Sequence, residues 1–193
     1  MGSASNICKM PRVLSIFFNL CISHSFLLSQ MTKIVVVPIV KSKTTDISDM
    51  SNYRPISLAM VVGKVLDSLL NHHLDIQVTL DDAQFGFRKG LSTESAILCL
   101  NQTVGYYTDR NTPIYACFLD LSKAYDLMSY NLLWQKLMAL GASGLLVRLL
   151  QFWYGSQTNC VRWADQLSEP YKFECGVRQG GLTSPLLFNI YVN

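Results

Sequence analysis

Phe118-Leu119-Asp120-Leu121-Ser122-Lys123-Ala124-Tyr125-Asp126 is the stretch on which the reading of this chain turns. The apolar run 114–119 leads into it and ends in a carboxylate, Asp120. A short turn follows, then an aromatic ring and a second carboxylate, Asp126. Beyond it Leu132, Leu133, Leu137 and Leu140 recur mostly at helical spacing. A strand with an acid at its end and a helix after it puts a charge at the rim of a sheet, where a metal ion and a substrate can reach it. The same nine residues also read as an ordinary strand-to-helix turn, where Asp is common because its side chain bonds nearby backbone.

Half of the 193 residues are hydrophobic and 15% are charged, a balance that builds a core and excludes a disordered chain. The length allows one domain, or one and a part. Lys and Arg outnumber Asp and Glu by 16 to 13, a net of +3, which permits a polyanionic partner without demanding one. The six cysteines show no C-x-x-C spacing, and Cys99 and Cys117 lie inside apolar runs. They are expected to be buried thiols of a reducing compartment. His24, His72 and His73 lack metal-site spacing.

Lys9 and Arg12 precede the largely apolar run 13–28, a layout shared with secretory signals. Asn19, His24 and several serines interrupt that run, and it is too short and polar for a comfortable membrane span. A buried helix explains it through Leu14, Phe17, Phe18, Cys21, Phe26 and Leu28. The β-branched run 33–40 contains Pro38 and is expected at a sheet edge. A polar loop, 41–51, leads to Asn52-Tyr53-Arg54-Pro55-Ile56-Ser57-Leu58, where Pro55 holds Arg54 extended. The pattern over 61–74 predicts an amphipathic helix with Val62, Val65, Leu66, Leu69 and Leu70 inward; Lys64 and Asp67 fall outside that stripe.

In Gln84-Phe85-Gly86-Phe87-Arg88-Lys89-Gly90-Leu91-Ser92-Thr93-Glu94, aromatics and glycines frame a basic pair. Such a loop suits backbone approach to phosphates, and equally an ordinary entry into a helix. Ser92 is placed to cap a helix running to about Tyr107, with Ser95 at the third position after it. Residues 143–153 read as a buried helix. Residues 158–163 and 171–175 read as paired strands around Ala164-Asp165-Gln166. They lead into Gly176-Val177-Arg178-Gln179-Gly180-Gly181-Leu182-Thr183-Ser184-Pro185. There Gln179 offers both a donor and an acceptor, and Ser184 and Pro185 open a last helix as cap and first residue. That helix is expected to leave Leu186, Leu187, Phe188 and Ile190 partly unpacked.

Together these segments resemble the reverse transcriptase domain of non-LTR (LINE-type) retrotransposons. Residues 52–58 are similar to the family's N-Y-R-P-I-S-L. Residues 84–93 resemble Q-x-G-F-R-x-G-x-S-T, and 118–126 resemble F-L-D-x-x-K-A-F-D. Residues 176–188 resemble G-V-x-Q-G-x-x-x-S-P-x-L-F. The four occur in the family's order, and the likeness covers 13–193; residues 1–12 match nothing in it. It implies an α/β (α+β) right-hand polymerase fold with fingers and an incomplete palm, helix-rich with short antiparallel strands. It also implies an intracellular RNA-directed DNA polymerase that works on an RNA template, a DNA primer and deoxynucleoside triphosphates with two Mg²⁺ ions, and has no membrane role.

Within that resemblance Asp120 matches the first metal-binding carboxylate, with the Leu121 carbonyl beside it. Tyr125 matches the aromatic under the incoming sugar, where the family usually has Phe. Gln179 and Gly180 match the nucleotide-contacting pair, and Ser184 and Pro185 lie toward the template-primer backbone. Arg54, Lys64 and Arg88 are candidate triphosphate or template contacts. Asp126 has a structuring role, and Asp120, Tyr125 and Gln179 are expected to share one cleft. The family pattern continues to a Tyr-x-Asp-Asp hairpin that this sequence does not contain. The expectation is therefore a fragment without independent catalysis. The alternative is a non-catalytic remnant that binds nucleic acid through Arg54, Lys64, Arg88, Lys89 and Arg178, in a salt-dependent way. A hydrolase built on Asp120 and Asp126 lacks a companion base.

Overall fold

A computed structural model describes residues 9–44 and 46–193. Among these residues, six α-helices and a four-stranded sheet form a mixed α/β architecture. The elements are α1 (Met10–His24), β1 (Lys33–Val40), β2 (Tyr53–Leu58), α2 (Val61–Gln77), α3 (Thr93–Thr108), α4 (Tyr130–Ala139), α5 (Gly144–Ser156), β3 (Thr158–Trp163), β4 (Gln166–Leu167) and α6 (Ser184–Val192).

The sheet order is β2-β1-β3-β4, so the proline-containing strand lies inside the sheet, not at its edge. Two features let Pro38 sit there. The parallel pairing with β3 covers only Lys33 to Val36, so Pro38 lies beyond its end. On the other side Pro38 faces Pro55, and only a pair without mutual hydrogen bonds tolerates two residues lacking N–H. The β1–β3 pairing is parallel, so the sheet is mixed where short antiparallel strands were expected. The expected partner at 171–175 is also corrected. β3 turns at Ala164 and Asp165 to pair with Gln166 and Leu167, and Tyr171 makes one isolated bridge to Asn159.

The core gathers Phe18 and Cys21 of α1, Leu66, Leu70 and Leu74 of α2, and the inward faces of α4, α5 and α6 around Trp153. A fully buried Leu contributes about 1.5–3 kcal/mol, so this cluster holds the helices on one another. The stripe of α2 differs from expectation. Gly63, Leu66, Asp67, Leu70 and Leu74 face inward, while Val65 and Leu69 face out. Asp67 can be buried because three groups from another segment surround its carboxylate. The last helix is also better packed than expected: Leu186, Leu187 and Ile190 are buried. The Lys136 ammonium of α4 donates to the Tyr191 carbonyl near the end of α6, at 2.8 Å.

The expected strand over 114–119 does not form; its residues run through irregular backbone and are exposed. No described strand lies beside it to pair with its backbone. Helix α3 does form, and the Ser92 hydroxyl accepts from the Ser95 N–H at 3.3 Å, but no residue of α3 is buried. Cys99, Cys117 and Cys175 are exposed free thiols and Cys160 is half-buried, against the expectation of burial, which only Cys21 meets among the described residues; Cys8 lies outside them. Among the described residues no helix is long and apolar enough to cross a membrane.

Candidate functional site

The loop 176–183 is held by short contacts to two distant segments. On one side the Gly176 and Val177 N–H groups donate to the Met128 and Tyr125 carbonyls, each at 2.8 Å. The Cys175 thiol donates to the Asp126 carbonyl at 3.2 Å. A side chain at 176 is excluded: φ is +86°, and a Cβ would stand 2.8 Å from both the Tyr125 and the Asp126 carbonyl oxygens. On the other side the Ser57 N–H of β2 donates to the Gln179 carbonyl at 2.7 Å. Gly180, at φ +105°, brings its backbone against Ser57.

These contacts converge on a cavity of about 780 Å³ whose lining includes Lys41, Arg54, Lys123, Asp126 and Gln179. The Gln179 Nε2 donates to Asp126 Oδ1 at 3.2 Å, which orients the amide and leaves its oxygen free to accept elsewhere. Three cations and two carboxylates, Asp49 and Asp126, line the space, so its net charge favours an anion. One wall is formed by residues 48–51 of the loop 46–52. There the Ser48 N–H and hydroxyl donate to Asp46, and those of Ser51 to Asp49, at 2.7–2.9 Å. These bonds hold both carboxyls below their usual pKa. The Lys41 ammonium closes this wall by donating to the Ser51 carbonyl at 2.7 Å.

The residues singled out in the sequence distribute unevenly. Arg54 and Gln179 line the cavity, and Gly180 lies beside it. Asp120 and Leu121 are exposed on the irregular segment and line no part of it. Tyr125 is half-buried, its ring 5.2 Å from that of Phe188, and burial pushes its hydroxyl pKa up. The cleft expected from Asp120, Tyr125 and Gln179 is thus built instead from Arg54, Lys123, Asp126 and Gln179. Lys64 is exposed on α2. Arg88 turns back on its own loop, donating to the Asp81 carbonyl at 2.6 Å and the Gln84 carbonyl at 3.2 Å, with Asp82 at 3.9 Å. Ser184 is fully buried and Pro185 half-buried at the start of α6. Thr183, not Ser184, takes the N-cap position, and it makes no side-chain capping bond.

Lys41 and Lys123 are cavity residues the sequence reading passed over. Lys123 was within reach, since it is the Lys of the F-L-D-x-x-K-A-F-D pattern; Lys41 carries no such signal. The carboxylates do not fit a two-ion metal centre. Asp120 does not line the cavity, Asp126 is engaged by Gln179, and no three metal-ligating side chains stand together among the described residues.

Residues 39–193 match the family described as reverse transcriptase (RNA-dependent DNA polymerase). The chain belongs to the reverse transcriptase family. Its relatives include the "Probable RNA-directed DNA polymerase from transposon BS" of Drosophila melanogaster. That protein is 28% identical over 92% of this chain and 20% of its own length. The R2DM retrotransposable-element Pol polyprotein of the same species is 28% identical over 85% of this chain and 15% of its own length. The RNA-directed DNA polymerase from mobile element jockey of Drosophila funebris is 28% identical over 74% and 16%. The chain therefore spans a fifth or less of these relatives, and their mobile-element origin agrees with the LINE-type resemblance of the four motifs.

Proposed function

We propose that the cavity at Lys41, Arg54, Lys123 and Gln179 is the nucleotide-facing site of a fingers-and-palm portion of a retrotransposon reverse transcriptase. One observation carries this reading: Arg54, Lys123 and Gln179 belong to three of the family's separate sequence patterns, and they line one basic cavity. Arg54 and Lys123 bind phosphate oxygens of a deoxynucleoside triphosphate, and Gln179 contacts the nucleotide beside them. Tyr125 packs below the site as the ring that disfavours a 2′-hydroxyl. Pro185, the half-exposed member of its pair, faces the template-primer backbone. Asp120 is the position that matches the family's metal-binding carboxylate, and with no group of three metal-ligating side chains among the described residues the chain by itself binds without extending a primer.

Fluorescence anisotropy of a labelled RNA–DNA primer-template, with and without dATP, tests the proposal. Binding should weaken steeply with salt. Arg54→Ala with Lys123→Ala should lower the affinity about tenfold or more, as expected on losing two charged phosphate contacts. Unchanged binding in the double variant would remove the cavity from the site. Incorporation of dATP by the native chain, abolished in Asp120→Ala, would overturn the reading of binding without extension.

A further inference from the structure

Behind the cavity lies a buried polar cluster that the four motif resemblances assign no role. Asp67 of α2 is buried, and its carboxylate accepts two hydrogen bonds and faces one cation, all from the loop 176–183. The Leu182 N–H donates to Oδ2 at 2.7 Å and the Thr183 hydroxyl to Oδ1 at 2.6 Å. The Arg178 Nη2 stands 3.6 Å from Oδ1. The Arg178 guanidinium lies over the Trp153 ring, 4.4 Å from its centroid, with Tyr154 at 5.6 Å. Arg178 is itself buried, so it is not the nucleic-acid contact that the alternative reading made of it, and its Nε and Nη2 make no hydrogen bond. The Asp67 carboxylate is therefore its one charge partner among the ion pairs of the described residues.

The geometry has a direction. Residue 178 and residues 182–183 are tied to Asp67 inside the core, and residues 179–180 bulge outward between them to the cavity. We propose that Asp67 is a positioning residue for Gln179 and Gly180. It clamps both ends of their loop to α2, and so sets where the Gln179 amide and the Gly180 backbone meet the ligand. Hydrogen bonds to a buried carboxylate are stronger than those between neutral groups and hold residues 182 and 183, while the buried ion pair holds residue 178, so one side chain fixes both ends. A neutral or apolar residue at 67 would leave Arg178 as an uncompensated buried charge, which is strongly unfavourable. The inference deepens the proposed nucleotide site and rests on that reading for its consequence, not for its geometry.

The test pairs amide hydrogen exchange with dATP titration on the whole chain. Thr183→Val removes the hydroxyl and keeps the shape; Thr183→Ser keeps the hydroxyl and removes the methyl. Asp67→Asn removes the charge. In Asp67→Asn and Thr183→Val the Leu182 amide and its neighbours at 177–183 should exchange about tenfold and about threefold faster, with α1 and α4 unchanged, as expected when bonds to a charged group are lost. The dATP affinity should fall in the same order, and Thr183→Ser should behave as the native chain. If Asp67→Asn loosens the whole fold, Thr183→Val against Thr183→Ser decides: local loosening with weaker dATP binding in Val alone supports the clamp. Equal behaviour of Val and Ser, or exchange and affinity unchanged in both Thr183→Val and Asp67→Asn, overturns it. If the native chain binds no dATP, the site reading falls, and the exchange arm still decides whether Asp67 fixes the loop.

Discussion

Two apolar runs of this chain meet opposite fates. In α6, Leu186, Leu187 and Ile190 are buried against the other helices. In 114–119, Phe118 is 81% and Leu119 is 89% exposed, on backbone that is neither helix nor strand. Hydropathy does not separate them. A helix bonds its own backbone and needs only one face covered, whereas an extended run needs a neighbouring strand for its N–H and C=O groups as well. The described residues supply the first need to α6 and leave the second unmet at 114–119. Helix α3, next to that run, shows the intermediate case: its backbone is satisfied and capped, and none of its side chains is buried.

This contrast makes quantitative expectations, the largest in the core. Leu187→Ala or Ile190→Ala should cost about 2–5 kcal/mol, while Leu119→Ala should stay within about 0.5 kcal/mol. Urea unfolding followed by circular dichroism checks this, and equal costs would break the comparison. Glycines sharpen it at a smaller scale. Gly176→Ala combines a positive φ with a clash on two carbonyls, for a cost of about 1–3 kcal/mol or more. Gly105→Ala lies inside α3 with nothing within 4 Å of the new Cβ, and should stabilise by about 0.5–1 kcal/mol. Thermal melts of the two variants should shift in opposite directions.

The smallest effect concerns the cavity wall. Asp46 and Asp49 have pKa values below the ordinary carboxylate because they accept from Ser48 and Ser51 in the folded loop. Their contribution to loop order is therefore complete above the ordinary carboxylate pKa, and is lost as pH falls through the lowered values. Amide exchange of Ser48 and Ser51, corrected for intrinsic pH dependence, should show the loop loosening only in that acid range. A loop that loosens already near neutrality would point to some other titrating group.

Much of this protein could be read along the chain because the signals are local. Ser92 caps α3 where its hydroxyl reaches the Ser95 N–H, Pro55 keeps Arg54 extended in β2, and the motif patterns name the family. These depend on backbone dihedrals and on neighbours a few residues away, which sequence specifies directly. The candidate site was legible only in pieces: Arg54 and Gln179 were singled out, while Lys41, Lys123 and the place of Asp126 beside Gln179 emerged from packing. Asp67 is the clearest case of what tertiary structure alone decided. On its helix it looks like a solvent-facing acid, because α2's apolar stripe says nothing about a loop 115 residues away. Its burial became favourable only when Arg178, Leu182 and Thr183 arrived to replace the water it lost. The exposure of 114–119 has the same origin with the opposite outcome: an apolar run can be recognised from its residues, but burying it requires a partner surface that its own residues do not encode.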